Sequence, residues 1–291
     1  MKDSAALRSG KGSHDENFPV ASHLIAAQHR PAILAFYEFV RVADDIADHP
    51  SLAPGEKLAR LDRLEASLLG TNDDEPQGVR LRAVLAERKL SPVHAQHLLR
   101  AFRQDVTKLR YSDWDDLIDY CRYSAMPVGR HVLDVHGESQ ATWPANDALC
   151  AALQIINHLQ DCAKDYCELD RVYIPQDALA ANGIGIEALA APKASPALRR
   201  CIEGLTLRTG ALLDESRPFA SLIHDARLAM EVAAIQSLAE RLIGVLLTRD
   251  PLSERVHLSK SQMLLTGVSG AAVAITRRLF GRRAPSSAFG W

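Results

Sequence analysis

The stretch Phe36-Tyr-Glu-Phe-Val-Arg-Val-Ala-Asp-Asp-Ile-Ala-Asp48 decides the fold. Its apolar residues recur every three or four positions, the mark of an amphipathic helix rather than a half-buried strand. Wound as a helix, it sets Tyr37, Arg41, Asp44 and Asp48 on one face, at i, i+4, i+7 and i+11, with Asp45 beside that stripe. Phe36, Val40 and Ala43 are apolar, so the helix is expected to be largely buried. Two carboxylates one turn apart on such a helix repel each other and resist desolvation, so a positive partner is required.

A second stretch, Gln154-Ile-Ile-Asn-His-Leu-Gln-Asp-Cys-Ala-Lys-Asp165, repeats the arrangement. Gln154, Asn157, Asp161 and Asp165 share a face, and Ile155, Ile156 and Leu159 pack its flanks. One Asp pair at i, i+4 is usually a solvated helix face. Two such pairs, each continued by polar or aromatic residues along its stripe, point to a shared cation site. Magnesium suits it: a hard ion that takes one or two carboxylates and completes its shell with substrate phosphates.

The rest of the chain reads as helix too. Ala and Leu dominate, and periodic segments cover about 20–29, 32–48, 55–69, 78–88, 91–108, 114–137, 146–167, 198–223, 225–248 and 254–279. Ser51-Leu-Ala-Pro-Gly55 and Thr71-Asn-Asp-Asp-Glu-Pro76 separate helices, and 182–197, with two Gly and two Pro, is the longest connection. Neither a repeat of fixed period nor a long polar linker is evident. The expectation is all-α: a single-domain helical bundle over 14–281, with a flexible 1–13 and a flexible basic tail at 282–291.

Composition narrows the function. The 291 residues carry a net charge of -2, which argues against a nucleic-acid partner and leaves any anion to be held by a few placed cations or by metal. The five cysteines form no CxxC pair, so reduced thiols packed in helices are expected, not disulfides or a zinc site. Residues 1–13 hold no apolar signal segment, and no apolar run is long enough to span a bilayer, so a cytoplasmic location is expected. The C-terminal part joins an apolar stretch to Arg277, Arg278, Arg282 and Arg283. That suits peripheral docking on the anionic inner face of a membrane; a last core helix with a solvated basic tail fits the same residues equally well.

These motifs resemble those of the squalene/phytoene synthase family. Its first motif, Tyr-x-x-x-Arg-x-x-Asp-Asp-x-x-Asp, corresponds to Tyr37, Arg41, Asp44, Asp45 and Asp48; its second, Asn-x-x-x-Asp-x-x-x-Asp, to Asn157, Asp161 and Asp165. Gln154, the segment Arg171-Val-Tyr173-Ile-Pro-Gln176, Tyr120 and the Val128-Gly129 step are also similar to it, and the resemblance covers about residues 14 to 260. Within the family, His14-Asp-Glu-Asn-Phe18-Pro-Val-Ala-Ser22 looks like the opening of the bacterial hydroxysqualene synthase branch of hopanoid pathways. One departure stands out: most family members place Arg directly before the first Asp of the second motif, whereas this chain has Gln160. The His-x-Gln-Asp order again looks like the hydroxysqualene branch.

The resemblance implies an antiparallel helical domain around a central cavity, with several Mg2+ ions held by Asp44, Asp48, Asp161 and Asp165 and gripping a prenyl diphosphate. It implies conversion of presqualene diphosphate and water to hydroxysqualene and diphosphate, and a partner enzyme that supplies the substrate. Arg41, Arg171 and Arg255 are candidate clamps for the departing charge, with Lys164 and Lys260 weaker ones. Phe18, Phe36, Tyr37, Tyr120 and Tyr123 offer apolar and π faces to the cation; helix-core packing fits Phe36 as well. Tyr173, Val128 and Gly129 belong with the substrate pocket. Gln154, Asn157 or Tyr120 would orient the water. A GxGxxG fingerprint is absent, and no nicotinamide is expected. Two other readings compete: a sister enzyme condensing two prenyl diphosphates, which shares every metal residue, and a non-catalytic helical assembly factor, which the two intact motifs argue against.

Overall fold

The computed structural model describes residues 24–280, with side chains over 24–276. The helices run α1 (Arg30–Ala47), α2 (Pro54–Leu69), α3 (Pro76–Arg88), α4 (Val93–Thr107), α5 (Trp114–Ser124), α6 (Met126–His136), α7 (Trp143–Gln160), α8 (Cys162–Leu169), α9 (Gln176–Ala181), α10 (Pro196–Ser216), α11 (Phe219–Leu222), α12 (Ala226–Thr248) and α13 (Lys260–Phe280). The expected all-α class holds. Among the described residues there is no strand, and one isolated parallel bridge, Arg110 to Val172, joins two loops.

Local chemistry sets the boundaries. Proline opens α1, α2, α3, α6, α7 and α10, where its missing N–H has no intrahelical partner to lose. Asp113, Ser195 and Asp225 cap α5, α10 and α12 by accepting from free backbone N–H groups of the first turn. Gly137 ends α6 in the left-handed region, at φ 69°.

The structure corrects five expected elements. The helix read over 198–223 is α10 and α11 separated by a turn at Arg217 and Pro218, and the helix read over 254–279 begins only at Lys260. The helix read over 114–137 is two helices broken at Ala125, because Pro127 lacks a donor and clashes with the preceding turn. The helix read over 146–167 starts at Trp143 and breaks at Asp161. Where the helix over 20–29 was expected to end, residues 24–29 form turns that lead into α1. All five cysteines are free thiols, as composition implied.

Two large apolar cores hold the molecule, with a small cluster of Ile25, Ala32, Ile33 and Val135 beside them. Phe39 and Ile46 of α1 pack with Leu61 and Leu64 of α2, Leu81 of α3 and Leu98 and Leu99 of α4. The larger core forms around α7, whose Ile155 and Ile156 meet Leu198 and Ile202 of α10 and Ala239 and Leu242 of α12. Each such buried side chain contributes about 1.5–3 kcal/mol. Helices α1, α6, α7 and α12 do not close on one another completely; they leave a cavity of about 310 Å³ between them. Helix α13 packs along α12 and leaves Leu264, Leu265, Val268, Val273 and Ile275 exposed.

The wall between α6 and α7 depends on Gly129. A Cβ there would lie 1.9 Å from Asn146 Oδ1 and 2.7 Å from Cys150 Sγ. Asn146 is buried and its amide is tied to the Met126 carbonyl at 3.3 Å, so it has little room to move. Gly129→Ala is therefore expected to cost about 1–3 kcal/mol, read as a lower midpoint of thermal unfolding by circular dichroism. An unchanged midpoint would show that the two helices separate freely.

Candidate active site

The first acidic motif occupies the C-terminal half of α1. Arg41 Nη1 donates to Asp44 Oδ2 at 2.6 Å, and Nη2 donates to Asp45 Oδ1 at 3.1 Å. One guanidinium thus serves two carboxylates, which fixes Arg41 on the expected stripe and accounts for Asp45 beside it. Asp44 keeps 34% of its side-chain exposure, through which a ligand can reach it, but protein surrounds its other sides. Burial, with repulsion from Asp48 and Asp45 outweighing the Arg41 attraction, pushes its carboxyl up to about 7.

Arg171 joins the two motifs. Its Nη1 donates to Asp48 Oδ1 at 2.5 Å, its Nη2 to the Ala47 carbonyl at 3.2 Å and its Nε to the Asp105 carbonyl at 3.1 Å. Its backbone N–H donates to the Asp165 carbonyl at 3.0 Å, in the second motif. Lys57 adds a further cation that sequence reading missed: its Nζ donates to the same Ala47 carbonyl at 2.8 Å. The end of α1, where the helix dipole is negative, is thereby held by two cations.

The second motif is not one straight helix. Asp161 sits at the joint between α7 and α8, with its N–H on the Asn157 carbonyl at 2.9 Å, and Asp165 N–H donates to the Asp161 carbonyl at 2.8 Å. Those bonds preserve the one-turn spacing across the break. His158, unassigned by the sequence reading, lies within the motif. Gln154 Nε2 lies 3.0 Å from His158 Nε2, His158 Nδ1 lies 3.9 Å from Asp165 Oδ2, and the ring stacks on Tyr173 with centroids 3.5 Å apart.

Behind the motifs is a buried tyrosine cluster. Tyr120 and Tyr173 both donate to the Asp105 carboxylate, at 3.0 and 3.1 Å, and Tyr111 stacks on Tyr173. Burial pushes the Asp105 carboxyl up to about 7, although Arg171 and the two hydroxyls favour its charged form. Tyr120 is 3% exposed and engaged here; it is not among the residues lining the cavity. Asp105 carries no local signal in the sequence, since its importance comes from three distant residues that meet it.

The cavity is lined by Phe36, Tyr37 and Val40 of α1, by Val128, Gly129 and Val132 of α6, by Leu149, Leu153 and Asn157 of α7, and by Val232 and Ile235 of α12, among others. On α1, Tyr37 faces this space and Asp44 follows two turns later; on α7, Asn157 faces it and Asp161 follows one turn later. Arg255 is exposed, its carbonyl accepting from Arg249 Nη1 at 3.0 Å. Gln160, in the place of the family arginine, is buried and its amide donates to the Val256 carbonyl. An uncharged amide suits that buried position, where a guanidinium would need a counter-charge. Phe18 lies outside the described residues.

Among the described residues no three His, Cys, Asp or Glu side chains converge closely enough to hold a metal ion unaided. The donors present are carboxylate oxygens, and Asp44 carries excess negative potential from its neighbours. That set fits a hard divalent ion whose remaining ligands come from water and a bound phosphate.

A family model described as squalene/phytoene synthase matches residues 12–262. The chain is 57% identical to a hydroxysqualene synthase of Rhodopseudomonas palustris and 54% identical to one of Sinorhizobium fredii, covering 97% of this chain and of each relative. Its fold is similar to a crystal structure of a squalene synthase from Alicyclobacillus acidocaldarius, with a TM-score of 0.66 at 30% identity over 96% of this chain and 93% of that one.

Two outcomes test the electrostatics. Arg171→Lys is expected to lower stability by about 2 kcal/mol or more, since an ammonium cannot span Asp48, Ala47 and Asp105 together; chemical denaturation with an unchanged midpoint would exclude the clasp. Asp44 and Asp105 hold protons to about pH 7, whereas an unfolded chain releases them near the ordinary aspartate value of 3.8. Between those values the folded state binds more protons, so these groups make stability fall as pH rises through the window. Asp44→Asn should flatten that fall; an unaltered pH profile of the melting temperature would count against the raised Asp44 carboxyl.

Proposed function

The chain belongs to the squalene/phytoene synthase family, and from that premise we propose that it is a hydroxysqualene synthase. It converts presqualene diphosphate and water to hydroxysqualene and diphosphate. The observation that carries this reading is geometric. Both acidic motifs begin at residues lining one apolar cavity, Tyr37 and Asn157, and end at Asp48 and Asp165, whose carboxylate and backbone carbonyl respectively accept from Arg171. A charged head held at the carboxylates would leave its isoprenoid chain in the cavity. The near-full-length likeness to hydroxysqualene synthases chooses among the reactions that this arrangement serves.

Each residue then has a task. Asp44, Asp48, Asp161 and Asp165 would hold Mg2+, which when bound neutralises the diphosphate and lets it depart. Arg41 orients Asp44, and Arg171 orients Asp48 through its guanidinium and Asp165 through its backbone N–H. Tyr37, Phe36, Val128 and the close approach at Gly129 shape walls that exclude bulk water from the carbocation. No nicotinamide is needed, because water and not hydride ends the reaction.

The substrate is a lipid, and the exposed face of α13, with Leu264, Leu265 and Val268 each 60% exposed or more, supports peripheral membrane contact next to Arg277 and Arg278. No helix of the described residues is long and apolar enough to cross a membrane. An enzyme making presqualene diphosphate would be the functional partner.

Purified protein incubated with presqualene diphosphate and magnesium, without nicotinamide, should yield hydroxysqualene by mass spectrometry. Asp44→Ala and Asp161→Ala should each reduce the rate by about two orders of magnitude or more, and EDTA should abolish turnover. Consumption of farnesyl diphosphate instead would move the protein to the condensing branch. In a flotation assay, Leu264→Ser/Leu265→Ser should reduce recovery with anionic vesicles; equal recovery would remove α13 as the docking face.

A further inference from the structure

A carbocation in an apolar cavity is captured by water only where something holds that water. The sequence motifs provide Asn157, Gln154 and Tyr120 for this task, but Gln154 lies against His158 and the Tyr120 hydroxyl is bound to Asp105. Asn146, also in the lining, donates to the Met126 carbonyl and lies against Asp147 and Cys150.

His131, on α6, has a different environment. It lines the cavity and is 1% exposed. Its ring lies flat on Phe36 of the first motif helix, with centroids 3.9 Å apart and planes at 10°. It makes a hydrogen bond to the Ala32 backbone, while Nε2 is buried with no hydrogen-bond partner among the described residues. The Ala32 bond therefore falls to Nδ1, which makes Nδ1 the protonated nitrogen and leaves the Nε2 lone pair unused. Burial and the nearby His94 keep the imidazole neutral, lowering its pKa to about 3. A buried acceptor left unmet is costly, and a bound water would satisfy it.

Resting on the hydroxysqualene synthase reading, we propose that His131 Nε2 accepts a hydrogen bond from the water that captures the carbocation and then takes its proton. The carbon–oxygen bond to diphosphate breaks first, and the electron pair leaves with diphosphate. A water lone pair forms the new carbon–oxygen bond. The resulting protonated alcohol passes one proton to Nε2, from which it returns to diphosphate or solvent. A protonated alcohol is far more acidic than imidazolium, so weak basicity suffices, and the fixed neutral ring presents its lone pair to the water. The ring's two restraints, the Phe36 stack and the Ala32 bond, make it a fixed acceptor next to the aromatic face that meets the cation.

The test separates ionisation from capture. Wild type, His131→Phe and His131→Gln are incubated with presqualene diphosphate and magnesium, and released diphosphate and C30 products are both measured. His131→Phe should keep releasing diphosphate while the ratio of hydroxysqualene to hydrocarbon products falls about 10–100-fold. His131→Gln, which restores an acceptor, should recover much of that ratio. An unchanged alcohol share in His131→Phe would overturn the proposal. If that variant does not fold, as judged by its thermal melt, His131→Leu is held to the same criterion. A wild-type protein that releases no diphosphate from this substrate would instead overturn the parent reading, on which this one rests.

Discussion

The architecture depends on one buried guanidinium. Arg171 lies in a short extended segment between α8 and α9, yet its side chain reaches the end of α1 and its backbone holds the second motif. Without it, Asp44, Asp45, Asp48 and Asp105 would gather with Arg41 and Lys57 as the nearest cations. Such a cluster repels itself more strongly as water is removed. The arginine makes the concentration of acid tolerable in the absence of ligand. It falls short of full compensation, as the raised carboxyls of Asp44 and Asp105 show. Under the proposed function, a bound divalent ion would offset that residual negative potential.

The surroundings of Arg171 follow from the need to keep it there. The segment 171–174 runs beside 109–111, with Val172 N–H on the Leu109 carbonyl at 2.9 Å and Gln176 N–H on the Tyr111 carbonyl at 2.9 Å. Tyr120 and Tyr173 converge on Asp105, whose carbonyl accepts from Arg171. Helices α4 and α5 and the 171–176 segment are thus locked behind the acidic face by one polar network. Its members are mutually satisfied, and such networks rigidify more than their separate bonds suggest. The aromatic residues that sequence reading gathered around the cation are accordingly divided: Tyr37 and Phe36 face the cavity, while Tyr120 supports the charged floor.

What the sequence disclosed follows the range of the forces involved. Helical periodicity and the i, i+4 carboxylates are local, and from them the all-α class, the motif helices and the shared face of Arg41 and Asp44 could be read. The breaks at Ala125 and Asp161 were less legible. Pro127 was visible but was outweighed by a long periodic run, and Asp161 looks like any helical residue until its joint with α8 is seen. Asp105 and His131 were illegible because a lone charged or aromatic residue on an amphipathic helix has many ordinary explanations. Their meaning comes from what other helices bring against them.

Gln160 shows why a departure from a family pattern is best read through packing. Charge counting alone makes the loss of an arginine there a loss of affinity for diphosphate. In this fold residue 160 is buried, and its amide ties α7 to the segment carrying Arg255 and Val256. The substitution therefore does two things together: it removes a cation from next to Asp161 and adds a neutral tether to the far wall. A reaction that ends in water capture uses the diphosphate site once, for a single ionisation. A condensing enzyme must hold two diphosphates and expel both. Fewer cations at the second motif are consistent with the lighter of those two demands, and the tether shows how the position remains stable without the charge.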